Sequence, residues 1–302
     1  MNKVVITGVS GFVGMATAQY LLKKNVKVIG IDKKNIPLRH YNFEFLELNL
    51  AENVEVESAA LLDADVLYHF AWSGVNADVR NDYPIQIKNI QMSLNTLVLA
   101  KSQNIKKVIM LGSASEYVRS GEVINGYNLP NPIDAYGASK CAAYLFCKTY
   151  AEQNNINFVG IIATSIYGPG RDDNNIISYT IKALLRKEKP SFTLLEQKWD
   201  FIFIKDFLHA LYLLGLSGKS GKNYTVASGS YRLLHEYVEI IRDCIDSNLP
   251  LGIGEKPYKA GKVEHAIFDI NDIIYDTGFK PEYSFEGSII SVIEYFRTLG
   301  NY

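Results

Sequence analysis

The sequence predicts an α/β protein built on a doubly wound parallel sheet. Three observations lead to this prediction. Short apolar runs alternate with segments of helical periodicity from the N-terminus to about residue 162. The runs are nearly continuous in apolar residues, as expected for parallel strands that are buried on both faces. The first two runs enclose a glycine-rich turn and a helix, and end on an acid. Repeated strand–helix–strand units of this kind form a parallel sheet with one shared carboxyl edge.

The first unit runs from residue 4 to residue 32. A strand at 4–6 is followed by the turn Thr-Gly-Val-Ser-Gly-Phe-Val-Gly at 7–14, a helix, and a second strand at 26–32. Glycines here allow a sharp turn, close approach of main-chain N–H groups to a pyrophosphate, and close packing of the helix. Asp32 lies 18 residues after Gly14, near the ~20 expected for an acid that hydrogen-bonds a ribose 2′-hydroxyl. The unit predicts a Rossmann dinucleotide site, although the spacing is Gly-x-x-Gly-x-x-Gly rather than Gly-x-Gly-x-x-Gly.

The following elements continue the sheet. We predict a third strand at 43–50, whose end brings Asn49 and Leu50 to the carboxyl edge near an adenine. A fourth strand at 63–72, a helix at 86–100 and a fifth strand at 107–113 come next, and the fifth strand breaks at Gly112. A helix entered through residues 134–140 runs to about 153, and a sixth strand spans 157–162.

The pattern loosens after residue 170. Helices are predicted near 176–186, 206–214 and 233–245, and a strand-like run lies at 201–204. We therefore predict a dinucleotide-binding domain over 1–165, with return segments near 200–228. A smaller mixed α/β substrate-binding domain is predicted from 166–199 and 229–302, over the carboxyl edge of the sheet.

Composition argues against several classes of function. The chain has 302 residues and a net charge of −1, and the charges of both signs are interspersed, which gives no surface suited to nucleic acid or an anionic membrane. The three cysteines and five histidines show no metal-ligand spacing. His69 ends a strand and is expected to be a packed core residue. Because residue 4 already begins a strand, no signal peptide is expected, and the predicted location is the cytoplasm.

A tyrosine and a lysine at helical spacing suggest acid/base chemistry. Tyr136 and Lys140 lie one turn apart on one helix face, where an ammonium is expected to lower the pKa of a phenol. Hydride transfer at an alcohol carbon needs such a proton-exchanging group. The spacing alone is common by chance. Ser113 adds to it, because it lies at the carboxyl end of a predicted strand, on the cofactor side, where its hydroxyl can hold the same substrate oxygen.

These residues together resemble the extended short-chain dehydrogenase/reductases, the NAD-dependent epimerase/dehydratase family acting on nucleotide sugars. The resemblance covers nearly the whole chain. It rests on the turn at 7–14, Asp32, His-Phe-Ala at 69–71, Asn89, Leu-Gly-Ser at 111–113, Tyr-Gly-Ala-Ser-Lys at 136–140, Tyr-Gly-Pro at 167–169 and Asp-Phe-Ile-Phe-Ile-Lys-Asp at 200–206.

The resemblance implies roles for individual residues. Tyr136 would be the acid/base, Lys140 would bond the nicotinamide ribose, and Ser113 would hold the substrate oxygen. The expected cofactor-binding residues are Gly8, Gly11, Phe12, Val13, Gly14, Asp32, Lys33, Asn49, Leu50, Phe70, Ala71, Trp72, Asn89, Tyr136 and Lys140. The expected substrate-binding residues are Trp72, Ser73, Ser113, Ser115, Ser165, Tyr167, Arg171 and Arg232.

Departures from the family pattern narrow the reaction. Members that remove water across C4–C6 carry an Asp-Glu pair where this chain has Ala114-Ser115, so a 4,6-dehydratase is discounted. Trp199 stands where the family usually has an arginine that meets a diphosphate, and Arg171 or Arg232 could substitute for it.

Three functions stay open. The first is a nucleotide-sugar epimerase that acts by reversible hydride transfer, at C4 of the hexose, to a bound NAD. The second is a 4-keto-6-deoxyhexose nucleotide reductase that uses NAD(P)H. The third is a non-catalytic dinucleotide-binding sensor of the same fold. Asp32 repels a 2′-phosphate and favours NAD, whereas Lys33 beside it could neutralise the phosphate of NADP. The family also implies a homodimer formed through the helices at 86–100 and 135–153.

Overall fold

The computed structural model describes residues 1–52, 58–117, 123–258 and 265–300. In chain order its strands are β1 (Lys3–Thr7), β2 (Lys27–Asp32), β3 (Phe43–Glu47), β4 (Val66–His69), β5 (Lys107–Leu111), β6 (Asn157–Ala163), β7 (Ser165–Tyr167), β8 (Lys198–Phe203), β9 (Asn223–Val226) and β10 (Tyr231–Leu233). Its α-helices are α1 (Phe12–Lys23), α2 (Tyr83–Ser102), α3 (Ala135–Gln153), α4 (Ile176–Leu185), α5 (Ile204–Ser217), α6 (Leu234–Ile245), α7 (Asn271–Thr277) and α8 (Phe285–Thr298).

Within the described residues, seven strands form the main sheet in the order β3-β2-β1-β4-β5-β6-β9. All of its neighbouring pairs are parallel. The strand order reverses between β1 and β4, which is where ligands bind in open α/β sheets. The predicted doubly wound fold is confirmed.

Alternating residues of β1 show why helices cover both faces of this sheet. Val4 and Ile6 pack into one apolar cluster with α1 and α5, whereas Val5 belongs to a second cluster with α2 and α3. Successive side chains of a strand point to opposite faces, so a fully apolar strand needs a helix layer on each side. This arrangement leaves the carboxyl edge of the sheet open for a site.

The helix that carries Tyr136 and Lys140 has a well-defined start. Asp134 is the N-cap of α3, and its side chain accepts a hydrogen bond from the Gly137 N–H group at 2.7 Å. Asp82 caps α2 in the same way through the Ile85 N–H group. Capping acids satisfy main-chain donors that a helix start leaves unpaired and complement the helix dipole. Both helices thus begin at fixed points of the carboxyl edge.

Several strands end earlier than the apolar pattern predicts. The predicted strands at 43–50, 63–72 and 107–113 are observed as β3, β4 and β5, so residues 48–50, 70–72 and 112–113 belong to loops. Residues 48–50 and 70–72 line a cavity instead of pairing in the sheet. β9 adds a seventh strand that its sequence did not reveal.

The second half of the chain contributes a small sheet in the order β10-β8-β7. Residues 201–203 of the apolar run at 201–204 lie in β8 of this sheet, and Ile204 begins α5. One continuous core joins the two sheets, with Ile6 and Tyr68 on one side and Phe201 and Phe285 on the other. The domain boundary at residue 165 stays a prediction. The predicted segment 229–302 includes residues 259–264 and 301–302, which lie outside the described residues.

Candidate active site

The turn after β1 contains two glycines. Any other residue at either position would displace neighbouring main-chain atoms. Gly8 has φ +70°, and its N–H group donates to the Ile31 oxygen at 2.9 Å. A Cβ on Gly8 would lie 2.6 Å from the Ala71 nitrogen, and one on Gly14 would lie 2.2 Å from the Gly8 oxygen. The first glycine therefore lets the turn approach the loop after β4, and the second lets α1 pack on the turn.

A cavity of about 560 Å³ lies between this turn and the ends of β2, β3 and β4. Its volume falls within the range of small-molecule and cofactor sites. Most predicted cofactor residues line it, and so does the predicted substrate residue Ser73: Gly8, Gly11, Asp32, Lys33, Asn49, Leu50, Phe70, Ala71, Trp72, Ser73 and Asn89. The elongated set of walls, from the glycine turn to the loop after β4, fits a dinucleotide.

Asp32 is held at the rim of the cavity. Its Oδ2 atom accepts hydrogen bonds from Ser10, from the main-chain N–H group at 3.0 Å and from the hydroxyl at 2.7 Å. Its Oδ1 atom accepts from the Lys33 N–H group at 2.8 Å. Ser10 is a functional candidate that sequence reasoning missed, although its place between Gly8 and Gly11 marks it as part of the turn.

Three predicted cofactor residues have packing roles instead. Phe12 packs against the core, and its ring approaches the glycines that follow β7. Val13 packs against the same core, and Gly14 is buried under the turn. They do not line the cavity described above. The side chains of Phe12 and Val13 pack against the core, and the binding of the dinucleotide by these three residues stays a prediction.

The loop after β4 is fixed by an amide network. The Trp72 indole N–H group donates to Gln86 Oε1 at 3.1 Å. Asn89 binds the main chain of Ser73 twice, at 3.0 Å to its N–H group and 2.8 Å to its oxygen. Gln86 and Asn89 are almost wholly buried on α2. The predicted cofactor residue Asn89 thus lines the cavity while it positions the loop, and Gln86 was missed because a buried amide has no sequence signature.

The structure brings Tyr136, Lys140 and Ser113 together beside the cavity. The Tyr136 side chain is hydrogen-bonded to Ser113. The Lys140 ammonium donates to the Leu111 oxygen at 2.7 Å and lies 3.8 Å from the centroid of the Trp72 ring. The Trp72 ring also meets Tyr136 edge to face, with centroids 6.1 Å apart. Trp72 therefore connects the cavity wall, of which it is part, to the tyrosine and the lysine.

The pKa of Tyr136 does not follow the sequence-based expectation. Burial raises it, and the hydrogen bond from Ser113 and the charge of Arg80 oppose that rise. The Lys140 ammonium lies 6.0 Å from the centroid of the Tyr136 ring and points to Leu111 instead. The raised pKa is opposite in direction to the lowered pKa that the sequence predicts, and the cation nearer to the Tyr136 ring is Arg80.

A buried glutamate, Glu116, lies under the site and was not predicted. Its Oε1 atom accepts the Ser113 N–H group at 2.7 Å. Burial raises the pKa of Glu116, while the Ser113 N–H group and the Lys140 charge lower it. Burial likewise lowers the pKa of Lys140, and the Glu116 charge opposes that change. Glu116 thus fixes the backbone of Ser113 and supplies a negative charge near the lysine.

Two predicted substrate residues have different surroundings. Ser165 accepts a hydrogen bond from the Trp199 indole at 2.9 Å, so these residues are paired with each other. Tyr167 is buried among Phe201, Phe203 and Phe285, and its hydroxyl is bonded to Ser288. Its ring and its hydroxyl are both engaged in the core, and substrate binding by Tyr167 stays a prediction.

The two arginines predicted to meet a diphosphate already hold carboxylates. Arg171 binds both carboxylate oxygens of Asp173, at 2.8 to 3.1 Å. Arg232 pairs with Glu286 at 2.7 Å. A diphosphate would have to compete with these acids, so the structure gives neither arginine an open phosphate-binding geometry. Ser115 accepts a hydrogen bond from Arg80 at 2.7 Å.

His69 is the packed core residue that the sequence predicts. Its ring nitrogens are hydrogen-bonded to Thr7 at 2.8 Å and Ser93 at 2.9 Å. Burial, with a smaller effect of the Lys140 charge, lowers the pKa of His69 to about 3, so the ring is neutral at pH 7. The three cysteines are free thiols. Within the described ranges, no helix is both long and apolar enough to cross a bilayer.

Comparisons with known proteins bear on the family and the fold of the chain. The sequence model of the NAD dependent epimerase/dehydratase family matches residues 4–227. A UDP-N-acetylglucosamine 4-epimerase from Methanobrevibacter ruminantium, solved with UDP-N-acetylmuramic acid, is 26% identical, with a TM-score of 0.88 over 99% of both chains. A UDP-glucuronic acid 4-epimerase from Bacillus cereus, solved with UDP-glucuronic acid and NAD, shares the fold at 22% identity, with a TM-score of 0.86 over 98% of this chain and 99% of that one. A dTDP-D-glucose 4,6-dehydratase from Dictyostelium discoideum is 26% identical over 76% of this chain and 58% of its own length.

Proposed function

The chain belongs to the NAD-dependent epimerase/dehydratase family, and we propose that it is a nucleotide-sugar 4-epimerase that uses bound NAD. One observation carries the proposal: Trp72 is part of the cofactor-sized cavity and also contacts both Tyr136 and Lys140. Only the Trp72 ring thus separates the tyrosine and its serine partner from a cavity that fits NAD. Solved epimerases that share the fold, described above, bind UDP-sugars, and one of them binds NAD.

The residues present fit NAD. The glycine turn offers main-chain N–H groups at the start of a twelve-residue helix, which suits a pyrophosphate. Asp32 stands at the rim for an adenosine ribose, and Asn49 and Leu50 form the wall next to it. Lys140 would bond the nicotinamide ribose. When bound, NAD supplies a reversible hydride acceptor beside Tyr136.

Tyr136 would move the proton of the reaction. As a phenolate it takes the proton of the sugar C4 hydroxyl, and as a phenol it returns the proton after the sugar has presented its other face. Ser113 donates a hydrogen bond that stabilises the same oxygen, and Glu116 holds the main chain of Ser113 in place. The reaction needs no net oxidant, because the hydride that leaves C4 comes back to C4.

A 4,6-dehydratase is the first alternative. That reaction needs an acid and a base next to the serine, and the positions concerned are Ala114 and Ser115. The nearest carboxylate, Glu116, is occupied by the Ser113 N–H group and is 2% exposed. We therefore propose that this chain does not dehydrate its substrate, although one similar protein is a dehydratase.

A 4-keto-sugar reductase is the second alternative. Lys33 lines the cavity beside Asp32, and a cation there could accept the 2′-phosphate of NADP. Against this, the Asp32 carboxylate is fixed by three hydrogen-bond donors and is directed at the same place. We propose NAD as the cofactor for that reason.

We further propose a homodimer in the cytoplasm. The helices α2 and α3 pack together and carry exposed apolar side chains on their outer surface, among them Ile87, Leu145 and Phe146. Large exposed apolar side chains on two neighbouring helices favour association with a second copy.

Product analysis tests the proposed function. The purified protein is incubated with UDP-N-acetylglucosamine, UDP-glucose or UDP-glucuronic acid, and the sugar products are followed by NMR. We expect the 4-epimer of at least one sugar, without consumption of added NADH. Tyr136→Phe should retain NAD and lose at least ~100-fold in turnover. Tyr150→Phe, on the same helix, should retain both NAD and turnover. Oxidation of added NADH by a 4-keto-sugar nucleotide would favour the reductase instead. Binding of NAD without any turnover would favour the sensor.

A further inference from the structure

An arginine outside the sequence motifs lies directly on the proposed acid/base. Arg80 belongs to the loop between β4 and α2, and its guanidinium carbon is 4.6 Å from the centroid of the Tyr136 ring. An arginine over an aromatic face is attracted by the ring, and the attraction grows as the ring gains negative charge. No sequence motif in the loop predicts this contact.

The guanidinium is fixed from two sides. Its Nη2 atom donates to Ser115 Oγ at 2.7 Å, and its Nε atom lies 3.0 Å from Asp134 Oδ2. Ser115 in turn donates its N–H group to Ser113 Oγ at 3.2 Å, and Ser113 is the hydrogen-bond partner of Tyr136. The contacts therefore close a ring that runs from Arg80 through both serines to the tyrosine and back.

The neighbouring residue anchors the same loop. Asn81 Oδ1 accepts a hydrogen bond from the Ala135 N–H group at the first turn of α3, with an N–O distance of 3.0 Å. Asp134, which pairs with Arg80, is the N-cap of that helix. Two adjacent loop residues are thus attached to the start of the helix that carries Tyr136, so the position of Arg80 over the ring does not depend on a single contact.

On these contacts we propose that Arg80 is a positioning residue for the acid/base, which holds the ring of Tyr136 against Ser113 and stabilises its phenolate. The inference rests on the proposed function. It assigns to Arg80 a part in stabilising the Tyr136 phenolate, a role that the family resemblance gives to Lys140 alone. The arginine acts through the tyrosine and is not itself required to touch the substrate.

The charges that face Tyr136 determine whether each substitution raises or lowers its pKa. Arg80 favours the phenolate and lowers the pKa of Tyr136, while Glu116 and Asp134 raise it, and the Ser113 hydrogen bond lowers it. Lys140 lies farther away, with its ammonium 6.0 Å from the ring centroid. Loss of the Arg80 charge should therefore raise the pKa of Tyr136, and loss of the Asp134 charge should lower it.

Two variants are chosen because they remove charges of opposite sign. Arg80→Met removes the cation and keeps most of the side-chain volume. Asp134→Asn removes the anion and keeps the cap of α3, because asparagine caps helices as well as aspartate does. Lys24→Met is the matched control, since the Lys24 ammonium lies 4.6 Å from the ring centroid of Tyr212, away from the site.

The first measurement needs no turnover. Phenolate absorbance near 295 nm is followed against pH for each variant, and the curve of the same variant carrying Tyr136→Phe is subtracted. We expect the Tyr136 midpoint to move to higher pH in Arg80→Met, to lower pH in Asp134→Asn, and to stay unchanged in Lys24→Met. If Arg80→Met does not fold, Arg80→Gln takes its place, with the same expected direction.

The second measurement is the pH dependence of kcat with the UDP-sugar that the wild type converts. At pH 7 we expect Arg80→Met to lose roughly 10-fold in kcat, which is recovered as the pH rises, with KM changed by less than about 3-fold. Midpoints that move in the same direction in both variants, or not at all in Arg80→Met, would overturn the proposal. A wild type without turnover, but with opposed midpoints, would refute the proposed function and leave the role of Arg80 supported.

Discussion

At the scale of single residues, we expect the choice of cofactor to depend on Asp32. The three hydrogen bonds that the Asp32 carboxylate accepts from Ser10 and Lys33 hold it at the rim of the cavity before any ligand arrives. A carboxylate in this position can accept hydrogen bonds from a ribose and repels a phosphate. On this proposal, cofactor specificity is a property of one side chain and of the turn that orients it.

We expect Asp32→Ala to raise the Kd for NAD roughly 10-fold, since a hydrogen bond to a charged group contributes about 1.5 kcal/mol or more. The same change should leave the Kd for NADP unchanged or lower it, because the repulsion is removed. Isothermal titration with both cofactors measures the two effects. Ser10→Ala is the control, and its effect should be smaller, because the main-chain N–H group still holds the carboxylate. A wild type that binds both cofactors equally would contradict this account.

The residues that sequence reasoning found and missed differ in kind. Tyr136, Lys140 and Ser113 were found because each sits at a fixed place on a strand end or a helix start. Arg80 and Glu116 were missed, because their contacts depend on the path of a loop and on the burial of one side chain. Tyr167 was assigned to the substrate from its motif, but the packing of the second sheet places it in an aromatic core.

At the scale of elements, the turn between β1 and α1 determines whether the cavity exists. Gly8 and Gly278 both have φ near +70°, but a Cβ on Gly278 would meet nothing within 4 Å. Alanine at either position therefore carries the left-handed backbone penalty of about 1–2 kcal/mol. Only at Gly8 does it also collide with the main chain of residues 70 and 71.

We expect Gly8→Ala to lower the free energy of unfolding by at least ~1 kcal/mol more than Gly278→Ala does. NAD binding should weaken more than ~10-fold in Gly8→Ala, because the turn and the loop after β4 are pushed apart. Urea unfolding and cofactor titration of both variants check the two effects. NAD binding in Gly8→Ala at the wild-type level would exclude the turn from the site.

Element boundaries show where the sequence was informative. The order of strands and helices to residue 163 was predicted correctly, because continuous apolar runs and helical periodicity both reflect burial between two helix layers. Strand ends were predicted too long, since the apolar residues among 48–50 and 70–72 line the cavity instead of pairing in the sheet. β7, β9 and β10 were missed, because strands of three or four residues carry too little pattern, and no helix was predicted where α7 and α8 lie.

At the scale of the whole molecule, the outer surface of α2 and α3 is the proposed contact between two copies. Leu145 and Phe146 are 54% and 58% exposed on α3, and Ile87 is 62% exposed on α2. Large exposed apolar side chains on two helices that pack together favour an interface there. The active sites would then lie on the same helices that join the two copies, since α3 also carries Tyr136.

We expect the double variant Leu145→Glu, Phe146→Glu to be a monomer, because two buried charges at an interface remove its apolar contacts. Leu216→Glu is the control, since Leu216 is similarly exposed at 49% but lies on α5. Light scattering on both variants and the wild type gives the masses. A wild type with the mass of one chain would refute the dimer.

The central claim is that the C4 hydrogen of the sugar leaves as a hydride and returns to the same carbon. The most direct measurement uses UDP-N-acetylglucosamine, or whichever UDP-sugar the protein converts, with deuterium at C4. We predict that the 4-epimer keeps its deuterium at C4, because the hydride is never exchanged with water while Tyr136 exchanges only the hydroxyl proton. A 4-epimer that has lost the deuterium to solvent, or the absence of any 4-epimer, would contradict the account.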